Sequence, residues 1–258
     1  MNELRQESDS PKEAYEGFAA FYDDRAHAHG YEYERWSNRL LEKAEAAGLA
    51  GNRLLDVGCG TGLSFVGLLE RGFQVTGCDI SPAMIEQARS KVGDRAELLV
   101  ADMRELPVIG EFDLVWAIND PFNYLLEVEE LASALAGMRR NAGPGGIVLF
   151  DLFTLRTSRF LFAEKTVSEE GGKRYIGQGD LSSEEVVSGV IGTVRFEIEG
   201  EPESVNVHRM RHFSEDEALV AIEAAGLRCE GVFGELDGDL HPDLDEEEHM
   251  MAVYVCRP

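Results

Sequence analysis

Gly58, Gly60 and Gly62 occupy alternate positions directly after the short apolar run Leu54-Leu55-Asp56-Val57, and a helix-compatible segment follows them. A strand, a tight glycine turn and a helix in that order bring a ligand up against backbone N–H groups, because glycine adopts positive φ and lets another group approach the chain closely. The text around this turn repeats the same rhythm. Strand-like segments at 53–57, 74–79, 97–100, 112–118 and 146–151 alternate with helical ones, and Ser81-Pro82 supplies a cap followed by a proline at a first helical position. Alternation of this kind predicts a parallel sheet covered on both faces, with ligands bound outside the carboxyl ends of its strands.

The flanks read differently. Residues 1–50 form a polar leader and a helical lid, with a break near Gly30 and Trp36, Leu40, Ala44 and Ala47 at helical spacing. Residues 51–154 hold the α/β core. Over 155–212 the alternation becomes β-like and lacks helices of length, which predicts an inserted antiparallel set of strands at 164–170, 173–180, 185–197 and 204–213. Residues 213–258 complete the core: Ser214 and Glu217 form a capping box, Gly226 stops the helix, and two strands follow at 228–234 and 249–256. The whole is an α/β chain with a doubly wound, mostly parallel seven-stranded Rossmann-like sheet and an inserted antiparallel region. The acidic stretch 237–248 reads as a solvated loop, and no metal site is expected.

A formal charge of −25, from 49 acidic and 24 basic residues, repels a phosphate backbone and argues against nucleic acid as a partner. No apolar run reaches the roughly 20 residues of a membrane span, and the first residues lack the apolar stretch of a signal peptide, so a cytoplasmic protein without membrane contact is expected. Cys59, Cys78, Cys229 and Cys256 show no C-x-x-C pairing and read as small core residues.

Two nucleotide chemistries compete for the glycine turn. A nicotinamide dinucleotide site would use Asp79 as its ribose-binding acid, making the chain an NAD(P)-dependent oxidoreductase. However, the glycines run G-x-G-x-G, and Asp56 precedes them. Its carboxylate repels a pyrophosphate and favours a cationic amino-acid group. With residues 54–62, Gly77-Cys78-Asp79-Ile80-Ser81-Pro82-Ala83-Met84, Ala101-Asp102-Met103-Arg104, 112–119 and Gly143-Pro144-Gly145-Gly146 in order, the chain resembles the class I S-adenosylmethionine-dependent methyltransferases, in particular their small-molecule-modifying members. The resemblance spans about residues 50–151. It implies S-adenosyl-L-methionine as cofactor, with Asp56, Gly58, Gly60 and Gly62 near its methionine portion, Asp79 on the ribose, Ile80 and Met103 against adenine, and Asp102 on the exocyclic amine.

The acceptor side is less marked. Asn119 and Asp120 follow the fourth strand at the ligand-facing edge, Asn119 as a cofactor-pocket residue and Asp120 as a catalytic contact. Tyr22 belongs to the helical lid and suits a pocket wall. In the inserted strand, period-two geometry puts Asn206, His208, Met210 and His212 on one face and Arg209 and Arg211 on the other. His208 is the leading candidate for a general base. Arg209 and Arg211 read as partners of the acidic surface, and His27 and His29 as exposed or capping residues. These readings predict methyl transfer to nitrogen or oxygen of a small molecule by in-line displacement, in a monomer or homodimer. A noncatalytic nucleoside-cofactor-binding assembly protein is the other class.

Overall fold

The computed structural model describes residues 10–28 and 30–258; the leader's first nine residues and His29 lie outside it. Strands β1 (Arg53–Val57), β2 (Gln74–Asp79), β3 (Ala96–Val100), β4 (Phe112–Ala117) and β5 (Ala142–Phe153) pair in parallel in the order β5-β4-β1-β2-β3. The first strand is central, so the chain reverses its direction of winding between β1 and β4, and a crevice opens at their carboxyl ends. Alternate residues on these strands feed two cores. Leu55, Val57, Val115, Ala117, Val148 and Phe150 pack on one face, and Leu54, Leu114, Trp116, Ile147 and Leu149 on the other.

Helices follow the local rules. On the N-terminal side, α1 (Pro11–Glu16) and α2 (Tyr22–Ala28) precede Gly30, whose φ of 70° turns the chain into α3 (Tyr33–Ala46). The short α4 (Val66–Glu70) follows the glycine turn and buries Leu68. Ser81 accepts the Met84 N–H at the start of α5 (Pro82–Val92), with proline at the first position. Helix α6 (Val128–Asn141) buries Leu131, Ala134, Leu135 and Met138 against the first face. Helix α8 (Glu215–Ala224) opens on the capping box of Ser214 and Glu217 and packs against α6.

The sheet has eight strands, one more than the seven expected. Strand β10 (Arg228–Leu236) pairs antiparallel with both β12 (Met251–Arg257) and β11 (Asp239–Pro242), and β12 pairs with β5. The extra strand falls in the acidic stretch read as a loop. Asp237 and Gly238, both at positive φ (54° and 83°), connect Leu236 to Asp239 by the two-residue turn that such a dipeptide favours, and the chain folds back on β10.

The insert is a separate four-stranded antiparallel sheet, β6 (Lys165–Glu170), β7 (Lys173–Gly179), β8 (Ile191–Ile198) and β9 (Glu201–Arg211). Residues 185–190 stay outside the strand predicted there. The expectation of no helix of length fails at α7 (Leu155–Ala163): Thr154 caps it, accepting the Thr157 N–H at 3.4 Å, and Phe162 is its buried anchor beside Phe153 and Val194. Where the chain leaves the core for this sheet and where it returns, Asn123 holds both ends. Its Oδ1 accepts the Phe153 N–H at 3.1 Å, and its Nδ2 donates to the Arg211 carbonyl at 2.8 Å.

Candidate active site

The glycine turn is fixed from β2. The N–H groups of Gly58 and Cys59 both donate to the Cys78 carbonyl, at 2.8 and 2.9 Å. Gly58, Gly60 and Gly62 take φ of 76°, 52° and 83°, which β-carbon-bearing residues rarely adopt. A Cβ at Gly58 would stand 2.7 Å from the Pro121 ring, whereas one at Gly60 would meet nothing within 4 Å among the described residues, which leave the space before Gly60 open. Asp79 closes the turn from the end of β2. Its Oδ2 accepts the Gly60 N–H and its Oδ1 the Ser81 N–H, each at 2.9 Å. Burial raises its pKa against these bonds. Each oxygen retains a further acceptor site, a pair suited to adjacent hydroxyl donors.

A cavity lies over this turn. Gly58, Gly60, Asp79, Ile80, Asp102, Met103 and Asn119 line it, as does Tyr22 from α2. Asp102 is anchored at the rim, where Arg104 donates to it through Nε at 3.0 Å and through Nη2 at 2.5 Å. Partial burial pushes its pKa up, but the bonds from Arg104 outweigh this and hold it below the usual carboxylate range. Gly62 lies off the wall, where its positive φ serves the turn. Asp56 is also off the wall and almost fully buried; it accepts the Ser64 hydroxyl at 2.5 Å, and burial raises its pKa to about 7. Ser64 itself lines the cavity, so Asp56 reaches the ligand space through it.

The connection after β4 is the most constrained backbone in the site. Asn119 and Asp120 both take left-handed φ, 66° and 59°, a conformation that asparagine and aspartate tolerate better than other side chains. Their N–H groups donate to the two carboxylate oxygens of Asp151, each at 2.8 Å, and Trp36 Nε1 adds a third bond at 2.9 Å. Asp151 is fully buried at the sheet side of this turn, and burial raises its pKa to about 6. Burial, and then repulsion from Asp151, raises the Asp120 carboxyl further, to about 8.

Four tyrosines form the wall facing the glycine turn: Tyr15, Tyr22, Tyr33 and Tyr124. Tyr22 and Tyr33 share a hydrogen bond of 2.8 Å, and Tyr15 and Tyr124 one of 2.6 Å. His208 stands behind this wall, 1% exposed, its Nδ1 2.8 Å from the Tyr124 hydroxyl and its Nε2 bonded to Asn206. Burial depresses its pKa to about 3, so the ring is neutral. It is not among the lining residues and meets the cavity through the Tyr124 hydroxyl and the edge of the Tyr15 ring, 5.1 Å between centroids. Helix α2 is tied to the turn by Asp23, which accepts from Thr61 Oγ1 at 2.6 Å and pairs with Lys91 Nζ at 2.6 Å. Arg211 points away, donating to Glu217 and to the Leu126 carbonyl at 2.6 Å each.

Sequence reasoning missed Asp151, Ser64, Tyr15, Tyr33 and Tyr124 as site residues. Only Asp151 carried a local signal, an acidic residue interrupting an apolar strand. The others are joined by contacts such as Tyr15 with Tyr124, 109 positions apart.

Known proteins are similar to this chain in sequence and in fold. A family model described as a methyltransferase domain matches residues 54–146. The protein YqeM of Bacillus subtilis (strain 168), named as a methyltransferase, is 30% identical over 241 residues, covering 90% of this chain and 94% of its own. Two solved structures share the fold: the CcbJ methyltransferase of Streptomyces caelestis (TM-score 0.76, 20% identity, 95% and 97% coverage) and an S-adenosylmethionine-dependent methyltransferase of Clostridium acetobutylicum ATCC 824 (TM-score 0.75, 18% identity, 92% and 96% coverage). With the strand order, the glycine turn and the Asp79 carboxylate in place, the chain belongs to the class I S-adenosylmethionine-dependent methyltransferases.

Proposed function

We propose that this methyltransferase acts on a nitrogen or oxygen of a small molecule, accepted in the tyrosine-walled half of the cavity. One observation carries the reading: one cavity is lined both by the glycine turn with Asp79 and by four tyrosines from the lid and the β4–α6 connection. The acidic surface of the chain argues against a nucleic-acid acceptor.

S-adenosylmethionine, when bound, supplies an electrophilic methyl group on a sulfonium. The chain's own residues hold and orient. Asp79 would accept the ribose hydroxyls, Ile80 and Met103 would flank adenine, Asp102 would take the exocyclic amine, and the Gly58–Gly60 backbone, Ser64 and Asn119 would receive the amino-acid end. Alignment of nucleophile and methyl carbon is the main task, since holding two reactants at near-attack distance contributes roughly 7–11 kcal/mol in favourable cases. Tyr22, bonded to Tyr33, forms a stiff wall against which an acceptor is held. Asp120 lies between two lining residues, and its pKa of about 8 suits it to exchange a proton near neutrality. His208 acts behind Tyr124, as a positioning residue.

Calorimetric titration with S-adenosylhomocysteine, with NAD run in parallel, tests the cofactor half. Saturable binding of the first and none of the second is expected. Asp79→Ala removes charge-assisted bonds worth about 1.5–3 kcal/mol and is expected to weaken binding by roughly 10- to 150-fold. NAD binding, or an Asp79→Ala variant that binds normally, would contradict the assignment. A screen of amines and hydroxyl compounds for radioactive methyl uptake then tests the acceptor half.

A further inference from the structure

The hydrogen bonds behind the tyrosine wall run in one direction only. The Ser204 carbonyl can only accept, so the side chain of Asn206 turns its Nδ2 toward it, at 2.8 Å, and presents Oδ1 to His208. His208 Nε2 must then carry the ring's proton, and with the imidazole neutral, Nδ1 is a bare acceptor. The Tyr124 hydroxyl donates its one hydrogen to that Nδ1 at 2.8 Å. In the 2.6 Å contact with Tyr15, Tyr124 can therefore only accept, and Tyr15 spends its own hydrogen there. Burial pushes both phenols well above their ordinary pKa, so neither escapes the constraint by ionising. The chain ends with Tyr15, a lining residue of the cavity whose oxygen has lone pairs left and no hydrogen to give.

We propose that Tyr15 is a specificity-determining residue, held as an obligate hydrogen-bond acceptor by the Tyr124–His208–Asn206 chain, so that the group to be methylated must bring its own N–H or O–H to the Tyr15 oxygen. This rests on the methyltransferase reading of the cavity and deepens it. A nucleophile without a hydrogen, such as a thioether or a fully substituted amine, faces lone pair against lone pair at that position. A hydrogen-bearing amine or hydroxyl is oriented by the same contact, with a lone pair free to point elsewhere in the cavity. Asn206 and His208 touch no ligand; they set the sense of the chain.

Nuclear magnetic resonance on the full chain tests this without knowledge of the natural acceptor. In protein labelled at histidine, His208 is expected to show a protonated Nε2 and an unprotonated Nδ1 near neutral pH. A proton on Nδ1, or on both nitrogens, would overturn the proposal. The protein saturated with S-adenosylhomocysteine is then titrated with dimethylammonium, a donor without an acceptor, and with trimethylamine N-oxide, an acceptor without a donor, while the Tyr15 ring signals are followed. We expect a preference of about tenfold or more for dimethylammonium. Tyr124→Phe keeps the ring but frees the Tyr15 hydroxyl to rotate, and the preference should fall below about threefold through a gain in N-oxide binding. Attraction of the cation to aromatic faces alone would leave the ratio unchanged in Tyr124→Phe. An unchanged ratio, a wild-type preference for the N-oxide, or no dimethylammonium response at Tyr15 would each overturn the proposal. Failure to saturate with S-adenosylhomocysteine would instead overturn the reading beneath it.

Discussion

Asp120 combines two demands on one residue: its backbone is left-handed, and its carboxyl is pushed to about 8 by burial and the neighbouring Asp151. Unfolded, the same group titrates near about 3.9. Between these values the unfolded chain releases a proton that the folded chain keeps, so the group's contribution to stability is complete below about pH 4 and is lost as pH rises through about 8. An asparagine in its place would keep the left-handed turn, which that side chain tolerates, and would not ionise. Asp120→Asn is therefore expected to melt at increasingly higher temperature than wild type as pH rises from about 4 to about 8, read from paired thermal scans. A difference that stays constant with pH would contradict this. The turn itself was legible as Asn-Asp-Pro; its anchor showed only as an acidic residue interrupting an apolar strand, because the N–H donors that Asp151 holds lie 31 or more positions away.

Among elements, helix α2 is joined to the glycine turn by a small polar contact. Asp23 on α2 takes the Thr61 hydroxyl and the Lys91 ammonium of α5, the charged pair lying where the aspartate and lysine side chains are 34% and 25% exposed. Such a pair is worth at most about 1 kcal/mol. Lys91→Ala is accordingly expected to raise amide exchange in α1 and α2 by up to about fivefold and to speed release of S-adenosylhomocysteine similarly, while exchange in β1 and β4 stays put. Equal exchange in the lid would sink this reading. Periodicity revealed the lid helices, the capped α5 and the capping box of α8, because each is encoded within a few residues. It did not reveal α7, whose Thr154 cap and buried Phe162 look strand-like until the insert folds over them, nor β11, where the acidic residues of the surrounding stretch 237–248 outweighed the Asp-Gly turn signal.

At the scale of the whole molecule, 49 acidic side chains against 24 basic ones make the folded state repel itself. Raising sodium chloride from about 0.01 M to about 0.5 M shortens the Debye length severalfold, and the melting temperature should rise by about 2–4 °C for each kcal/mol so relieved. A fall on adding salt would mean that the exposed ion pairs outweigh the repulsion. The parallel sheet and its switch point were readable from the strand–helix rhythm, since both faces must be covered and crossovers share one hand. The tyrosine wall was not, because it is assembled from the lid and the β4–α6 connection, with β9 supplying the histidine behind it. That division has a consequence for descent. Asn123 clamps the outgoing Phe153 and the returning Arg211, so the four-stranded insert leaves and rejoins the core through one stapled doorway. A lineage could exchange everything between those two residues as a cassette, replacing the support behind the tyrosine wall while inheriting the cofactor half untouched.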